Sequence, residues 1–385
     1  IEISPENIIL AGSGADAILF ARNLFGKINR KAATTLENGS AVNKGLKNSP
    51  LVEIEVRNGM DNQPYSDEEI LEKWNQAIDS GAEFLSITSI PKTGIDYTKP
   101  GGALEQLLNQ IYEINKTRAE DAKIVVVIDC VQMTGRVPLG EIFRWLNHPA
   151  VHGIVHTGSK GAGGCPHAGF LILSESGKSL AKKTAQENPE QVETWIQQHQ
   201  VSSATSLQNQ SATIQKNVLP AMRGADNARA IHQISELPEE EQMYGEKGKE
   251  IEKMLRNIFE CLGFRLLPAD QSVPSLIAMQ PPLGISAIDV RDVLLPELKK
   301  YGIALGGFLQ EGITPILRAT VNLQWLKDKK TLEEIQEAFW GSINPNEAFA
   351  YKKDKVKATI SSADIFERTT QEKKIIEEEN EFLQE

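Results

Sequence analysis

The sequence predicts an α/β protein: a large, mainly parallel sheet covered by helices, joined to a smaller α+β unit. Three observations predict it. Strand-like and helix-like segments alternate from the N-terminus to about residue 175, the pattern of a parallel sheet with crossover helices. KIVVVIDC at 123–130 is an unbroken apolar run, as expected of a strand buried on both faces. Near residue 235 the composition shifts to a charged and then amphipathic stretch, after which strand-like segments resume.

AILFARNLFG, directly after the Gly-rich stretch at 12–14, carries apolar residues at helical spacing. LVEIEV at 51–56 reads as a strand. Ser66, with Glu69 three residues on, forms a capping box that opens the helix DEEILEKWNQAIDSG, and a glycine closes it. FLSITSI at 84–90 is the next strand, and GALEQLLNQIYEINKTRAED is the helix after it. GIVHTGS at 153–159 and GFLILS at 169–174 are two further short strands. In the smaller unit, FRLLP, SLIAMQ, IALGGF and ILRATVNL read as strands and AIDVRDVLLPELKKYG as a helix. These readings divide the chain into a large domain at 1–235, a small C-terminal domain at 236–345 and a charged tail at 346–385. The tail is too polar to bury a core of its own.

Hydrophobic residues make up 40% of the chain and charged residues 24%, ordinary for a globular protein. The net charge of −11 argues against a nucleic-acid partner, whose phosphates call for a basic surface. No apolar run approaches the ~18–20 residues of a bilayer span. The start, IEISPENIIL, lacks the basic and long apolar regions of a secretory signal. A cytoplasmic protein without a membrane contact is expected, with an organelle left open. The cysteines, Cys130, Cys165 and Cys261, contain no CxxC pair and make no disulfide framework. Cys165 and His167 alone do not make a metal site, so no metal is expected.

Residues with chemical potential gather at the ends of the expected strands. Asp129 stands at the C-terminal end of a buried strand. In parallel sheets that end faces the ligand crevice, and a carboxylate there calls for a cationic partner. Gln132, three residues on, is a neutral donor. The next strand delivers Thr157, Gly158, Ser159 and Lys160, followed by GAGGCPHAGF, whose glycines let the backbone pass close to a ligand. Gly12, Ser13, Gly14 and Ala15 lead into a helix, whose N-terminus exposes N–H groups and favours an anion. Arg318 carries the planar fork that pairs with a carboxylate. Singly, each has an ordinary reading as a cap, turn residue, surface lysine or salt-bridge partner. Their order and their shared strand ends carry the functional one. His152 and His156, on a buried-looking strand, read as packing residues.

In these residues the sequence resembles the class V group of fold-type I pyridoxal-phosphate (PLP) enzymes, which includes cysteine desulfurases, isopenicillin N epimerase-like proteins and aminotransferases. The resemblance covers about residues 1–345. The group's D-x-x-Q strand end matches Asp129-Cys130-Val131-Gln132. Its S-x-H-K lysine motif matches Thr157-Gly158-Ser159-Lys160, with Ser159 where the histidine stands. Its phosphate-binding turn matches the stretch from Gly12 to Ala17, and its LRxSxxLYN strand matches Ile316 to Leu323.

The resemblance implies a fold-type I PLP-dependent transferase, homodimeric, with PLP as cofactor and an amino acid as substrate. It implies Lys160 as the Schiff-base lysine, Asp129 on the pyridine nitrogen and Gln132 beside the phenolic oxygen. Ser13, Gly14, Ala15, Thr157 and Ser159 would surround the phosphate, and Arg318 would bind the substrate carboxylate. Three features depart from the group. Asn38 stands where a ring-stacking histidine is usual, Pro91 where an asparagine near the substrate is usual, and group members carry a further segment ahead of the phosphate turn. The stretch matching the desulfurases' mobile cysteine, 303–310, contains no cysteine. That disfavours persulfide chemistry and leaves transamination, racemisation or epimerisation, and elimination open, with an aminotransferase as the expectation. The alternatives are elimination or epimerisation on the same cofactor, and a binding protein that keeps the fold without the reaction.

Overall fold

The computed structural model describes residues 7–36, 41, 45–57, 63–91, 96–158, 168–199, 201–203, 218–238, 252–253, 255–257, 259–260, 264–267, 276–280, 304–308 and 316–320. The first strand, β1 (Ile8–Ala11), leads into α1 (Gly14–Leu24). Ser13 caps α1 from an extended conformation, its hydroxyl oxygen accepting the N–H of Asp16. β2 (Ala32–Thr35) and β3 (Leu51–Ile54) follow. α2 (Asp67–Asp79) opens on the Ser66/Glu69 capping box, with both reciprocal bonds present. Three acidic residues in its first turn complement the helix dipole. β4 (Phe84–Thr88), α3 (Ala103–Thr117), β5 (Val125–Asp129), the short α4 (Leu139–Phe143), β6 (Val151–His156) and β7 (Gly169–Leu173) come next. Two consecutive helices, α5 (Glu175–Glu187) and α6 (Pro189–Gln198), are separated at Asn188, and Pro189 starts the second where its missing N–H costs nothing. β8 (Ser202–Ser203) and α7 (Val218–Ser235) complete this part.

Eight strands form one sheet in the order β3-β2-β4-β5-β6-β7-β1-β8. β2 to β6 are mutually parallel, whereas β7 runs against both of its neighbours, β6 and β1. The central strand β5 is buried throughout. Its side chains alternate between two cores, as the period of two requires. Val126 and Ile128 join a core with Ile70 and Trp74 of α2 and with Leu104 and Leu108 of α3. Val125 and Val127 join one with Ile18 and Phe20 of α1 and Trp195 of α6. The sheet is therefore the middle of three layers.

A second sheet contains β9 (Arg265–Leu266), β10 (Leu276–Gln280), β11 (Ala304–Phe308) and β12 (Ile316–Thr320), in the order β11-β12-β10-β9, all pairs antiparallel. Ile277 and Met279 of β10 belong to the α2/α3 core, together with Phe259 and Phe264.

The expected strands and helices of 12–174 recur with ends shifted by a few residues; the helix read from Ala17 starts at Gly14 and the strand read from Gly153 starts at Val151. The structure adds β1, β2, α4, α5, α6, β8 and α7, which the sequence reading does not contain. The Ala-Ala-Thr-Thr of β2 has no bulky apolar side chain, yet it is fully buried because β3 and β4 pair with its two edges and the cores cover its faces, Ala33 in one and Ala32 in the other. The helix expected at 287–302, Asn38 and the charged tail lie outside the described residues.

Candidate active site

The C-terminal ends of the parallel strands bring several of the sequence-predicted residues to one edge of the sheet. Asp129 closes β5, with Thr88 of β4 and Val155 of β6 beside it in register. It is buried, and its Oδ1 accepts the N–H of Val131 at 3.0 Å. Its carbonyl accepts the N–H and the hydroxyl of Ser89, at 3.0 and 2.8 Å. The chain then turns tightly, with the Met133 N–H bonded to the Cys130 carbonyl at 3.0 Å. Gln132 stands on this turn, and the Arg136 guanidinium donates to its carbonyl at 2.7 Å. The Gln132 side chain is buried, and its Oε1 accepts no hydrogen bond among the described residues. A buried amide oxygen without a donor marks a place where a polar partner is due.

The start of α1 rests on this turn. A Cβ on Gly14 would lie 3.0 Å from Cγ2 of Val131. A Cβ on Gly169, where β7 begins, would lie 2.6 Å from the carbonyl carbon and oxygen of Ser13. Only glycine lets those two backbones meet. Gly14 and Ala15 are the first residues of the helix, so their N–H groups have no helical carbonyl to bond. With the helix dipole they form an anion site.

Two hydroxyls expected to hold a phosphate have protein partners. Ser13 Oγ donates to the Asp16 carboxylate at 2.5 Å, and the Thr157 hydroxyl, 2% exposed, donates to the Ala168 carbonyl at 2.8 Å. What α1 offers an anion is therefore mainly backbone N–H. Ser159 and Lys160 lie outside the described residues, as do Cys165 and His167. The backbone of Arg318 is in β12, in register with Ala278 and Gly306, while its side chain is not among those described. The structure thus gathers Ser13, Gly14, Ala15, Asp129, Gln132 and Thr157.

Sequence reasoning missed several neighbours. The Thr88 hydroxyl is buried beside Asp129 and makes no hydrogen bond among the described residues. Asp16 and the buried His199 lie behind the helix start, with His199 Nδ1 3.8 Å from Asp16 Oδ1. The Ser-x-x-Asp spacing was a legible cap signal for Asp16, but nothing local points to His199. Cys130 is fully buried, and its thiol pKa is pushed well up, first by burial and then by the Asp129 charge, against a hydrogen bond from Ser89. Such a thiol is no nucleophile.

A cavity of about 580 Å³ lies at the opposite edge of the sheet, near the first residues of β5 and β6. Four of its cations, Lys27, Arg30, Lys116 and Lys123, are paired with Glu83, Glu113 and Glu120. It shares nothing with the gathered residues. Among the described residues no cluster of His, Cys, Asp or Glu is placed to hold a metal ion.

No protein-family model matches the sequence, and no curated protein matches it. Solved structures do match the fold. The ureidoglycine–glyoxylate aminotransferase of Bacillus subtilis superposes with a TM-score of 0.56 at 13% identity, over 89% of this chain and 79% of that one. The alanine–glyoxylate aminotransferase of a Nostoc species gives 0.55 at 15% identity, over 86% and 79%. The cysteine desulfurase of Thermococcus onnurineus gives 0.51 at 15%, over 88% and 78%. The chain has the fold these enzymes share, the fold-type I transferase architecture that the sequence motifs imply.

Proposed function

We propose that the chain is a PLP-dependent enzyme of the aminotransferase type, acting on an amino acid through Lys160. One observation carries the reading: a buried carboxylate, a buried amide and a helix N-terminus converge at the C-terminal ends of the parallel strands. These groups fit the cofactor. Asp129 would hold a proton on the pyridine nitrogen, the Gln132 amide N–H would donate to the phenolic oxygen, and the backbone N–H groups of Gly14 and Ala15, with Ser159, would receive the phosphate, the Ser13 and Thr157 hydroxyls being held by Asp16 and the Ala168 carbonyl. When bound, PLP supplies an electron-accepting ring.

The chain's own residues do the rest. Arg318 would pair bidentately with the substrate carboxylate and so set which α-bond faces the site. Lys160 would take and return the α-proton, a general-base role that requires an amine near its neutral form. The walls that bury Asp129 keep water from competing for its charge.

The test is spectroscopic. Purified chain supplied with PLP should turn yellow, and Lys160→Ala should lose the band. A wild-type protein that stays colourless under saturating PLP rejects the proposal. Transamination requires a keto acid for turnover, whereas elimination and epimerisation do not, so turnover without one would reassign the reaction. A binding protein that keeps the fold would take up PLP without exchanging the α-proton of any amino acid for solvent deuterium. In this reading the enzyme is cytoplasmic and a homodimer, and the mass in solution tests the dimer.

A further inference from the structure

His156 is the last residue of β6, directly before Thr157 and four residues before Lys160. It is 1% exposed, and its ring packs on Phe143 with centroids 5.8 Å apart. Its Nε2 lies 2.5 Å from the hydroxyl oxygen of Thr134, which also bonds the Thr157 carbonyl at 3.2 Å. Thr134 has one hydroxyl proton, and the Thr157 carbonyl, having none, must receive it. The imidazole is then the donor to Thr134, with its proton on Nε2 and Nδ1 bare.

Among the described residues Nδ1 has no partner. Burial holds the ring pKa down at about 4, so the ring is neutral near pH 7. A leucine or phenylalanine would fill the same space without leaving a buried nitrogen unsatisfied, which is costly. What the imidazole adds is one N–H, aimed at Thr134. Thr134 belongs to the turn that carries Gln132, and Thr157 begins the segment that carries Lys160. The chain His156–Thr134–Thr157 is a buried crosslink between the two.

We propose that His156 is a positioning residue that, through Thr134, sets the spacing of the Gln132 turn from Thr157, the residue three before Lys160 in sequence. The inference rests on the PLP reading and adds a residue to it. The experiment titrates PLP into the full chain and follows its visible band, with thermal midpoints of the cofactor-free variants measured alongside.

His156→Leu and the near-isosteric Thr134→Val should each weaken cofactor affinity by about tenfold, the scale of one lost hydrogen bond. His156→Gln, which keeps an N–H at similar reach, should recover most of the loss. The double variant H156L/T134V should bind no worse than either single one, because both substitutions remove the same link. Wild-type affinity in both single variants, whatever their thermal midpoints, overturns the proposal, and so do losses that add. Should His156→Leu fail to fold, Thr134→Val alone decides. If the wild-type chain binds no PLP, the functional reading itself has failed. If it binds and the variants match it, only the crosslink has.

Discussion

At the scale of single residues, the site is defined by what its polar groups already bond. Asp129 gives Oδ1 to the Val131 N–H, so Asp129→Asn can keep that bond while losing the charge. We expect it to weaken PLP binding and shift the visible band with little change in thermal midpoint, as read by absorbance titration and melting of the cofactor-free chain. The histidines make a different prediction. His152 and His156 are held at about 4 against an ordinary 6.5, in both cases first by burial. The unfolded chain therefore takes up protons before the folded one does. Stability is full above the ordinary histidine pKa and falls as pH drops from about 6.5 toward 4. Urea midpoints measured between those values should fall with pH, and His156→Leu should flatten part of the slope. The presence of Ser13, Asp129, Gln132 and Thr157 was legible in the sequence, but their bonding was not. The proton of Ser13 turns to a carboxylate three residues away, and that of Thr157 to the Ala168 carbonyl, 11 residues on.

At the scale of elements, local rules account for helix starts and packing accounts for strands. The Ser66/Glu69 box opens α2 as its spacing demands. Ser66→Ala should cost about 1 kcal/mol in denaturant unfolding. Trp74, 3% exposed on the same helix, is a core anchor, and Trp74→Ala should cost ~3–5 kcal/mol. Gly169 works between elements. Its added Cβ would strike the Ser13 backbone, which cannot give way as a side chain tip would. Gly169→Ala should therefore push α1 from the Asp129 turn and impair both folding and PLP uptake, by ~1–3 kcal/mol of overpacking in unfolding experiments. The continuous run of β5 announced itself because both of its faces are buried. β2, small and half hydroxylic, did not, because its burial comes from neighbours far along the chain.

At the scale of the whole molecule, two cores sandwich the sheet, and the C-terminal sheet adds Ile277 and Met279 to one of them. A cofactor bound only by the folded chain should stabilise it by about 2.7 kcal/mol at a hundredfold excess over Kd. A rise in thermal midpoint with added PLP, absent when the same excess of pyridoxal lacking the phosphate is used, would locate that energy in the α1 anion site. By itself the sequence determined the α/β class, the strand that carries Asp129, the capped helices and the order of the chemical motifs. These follow from periodicity and capping, which act over a few residues. Only the tertiary structure decided the strand order, the reversal of β7 and the meeting of residues 13–14, 129–134, 157 and 169 at one edge. Those contacts join segments far apart along the chain, and the packing of the two cores selects them, with no local pattern to record them.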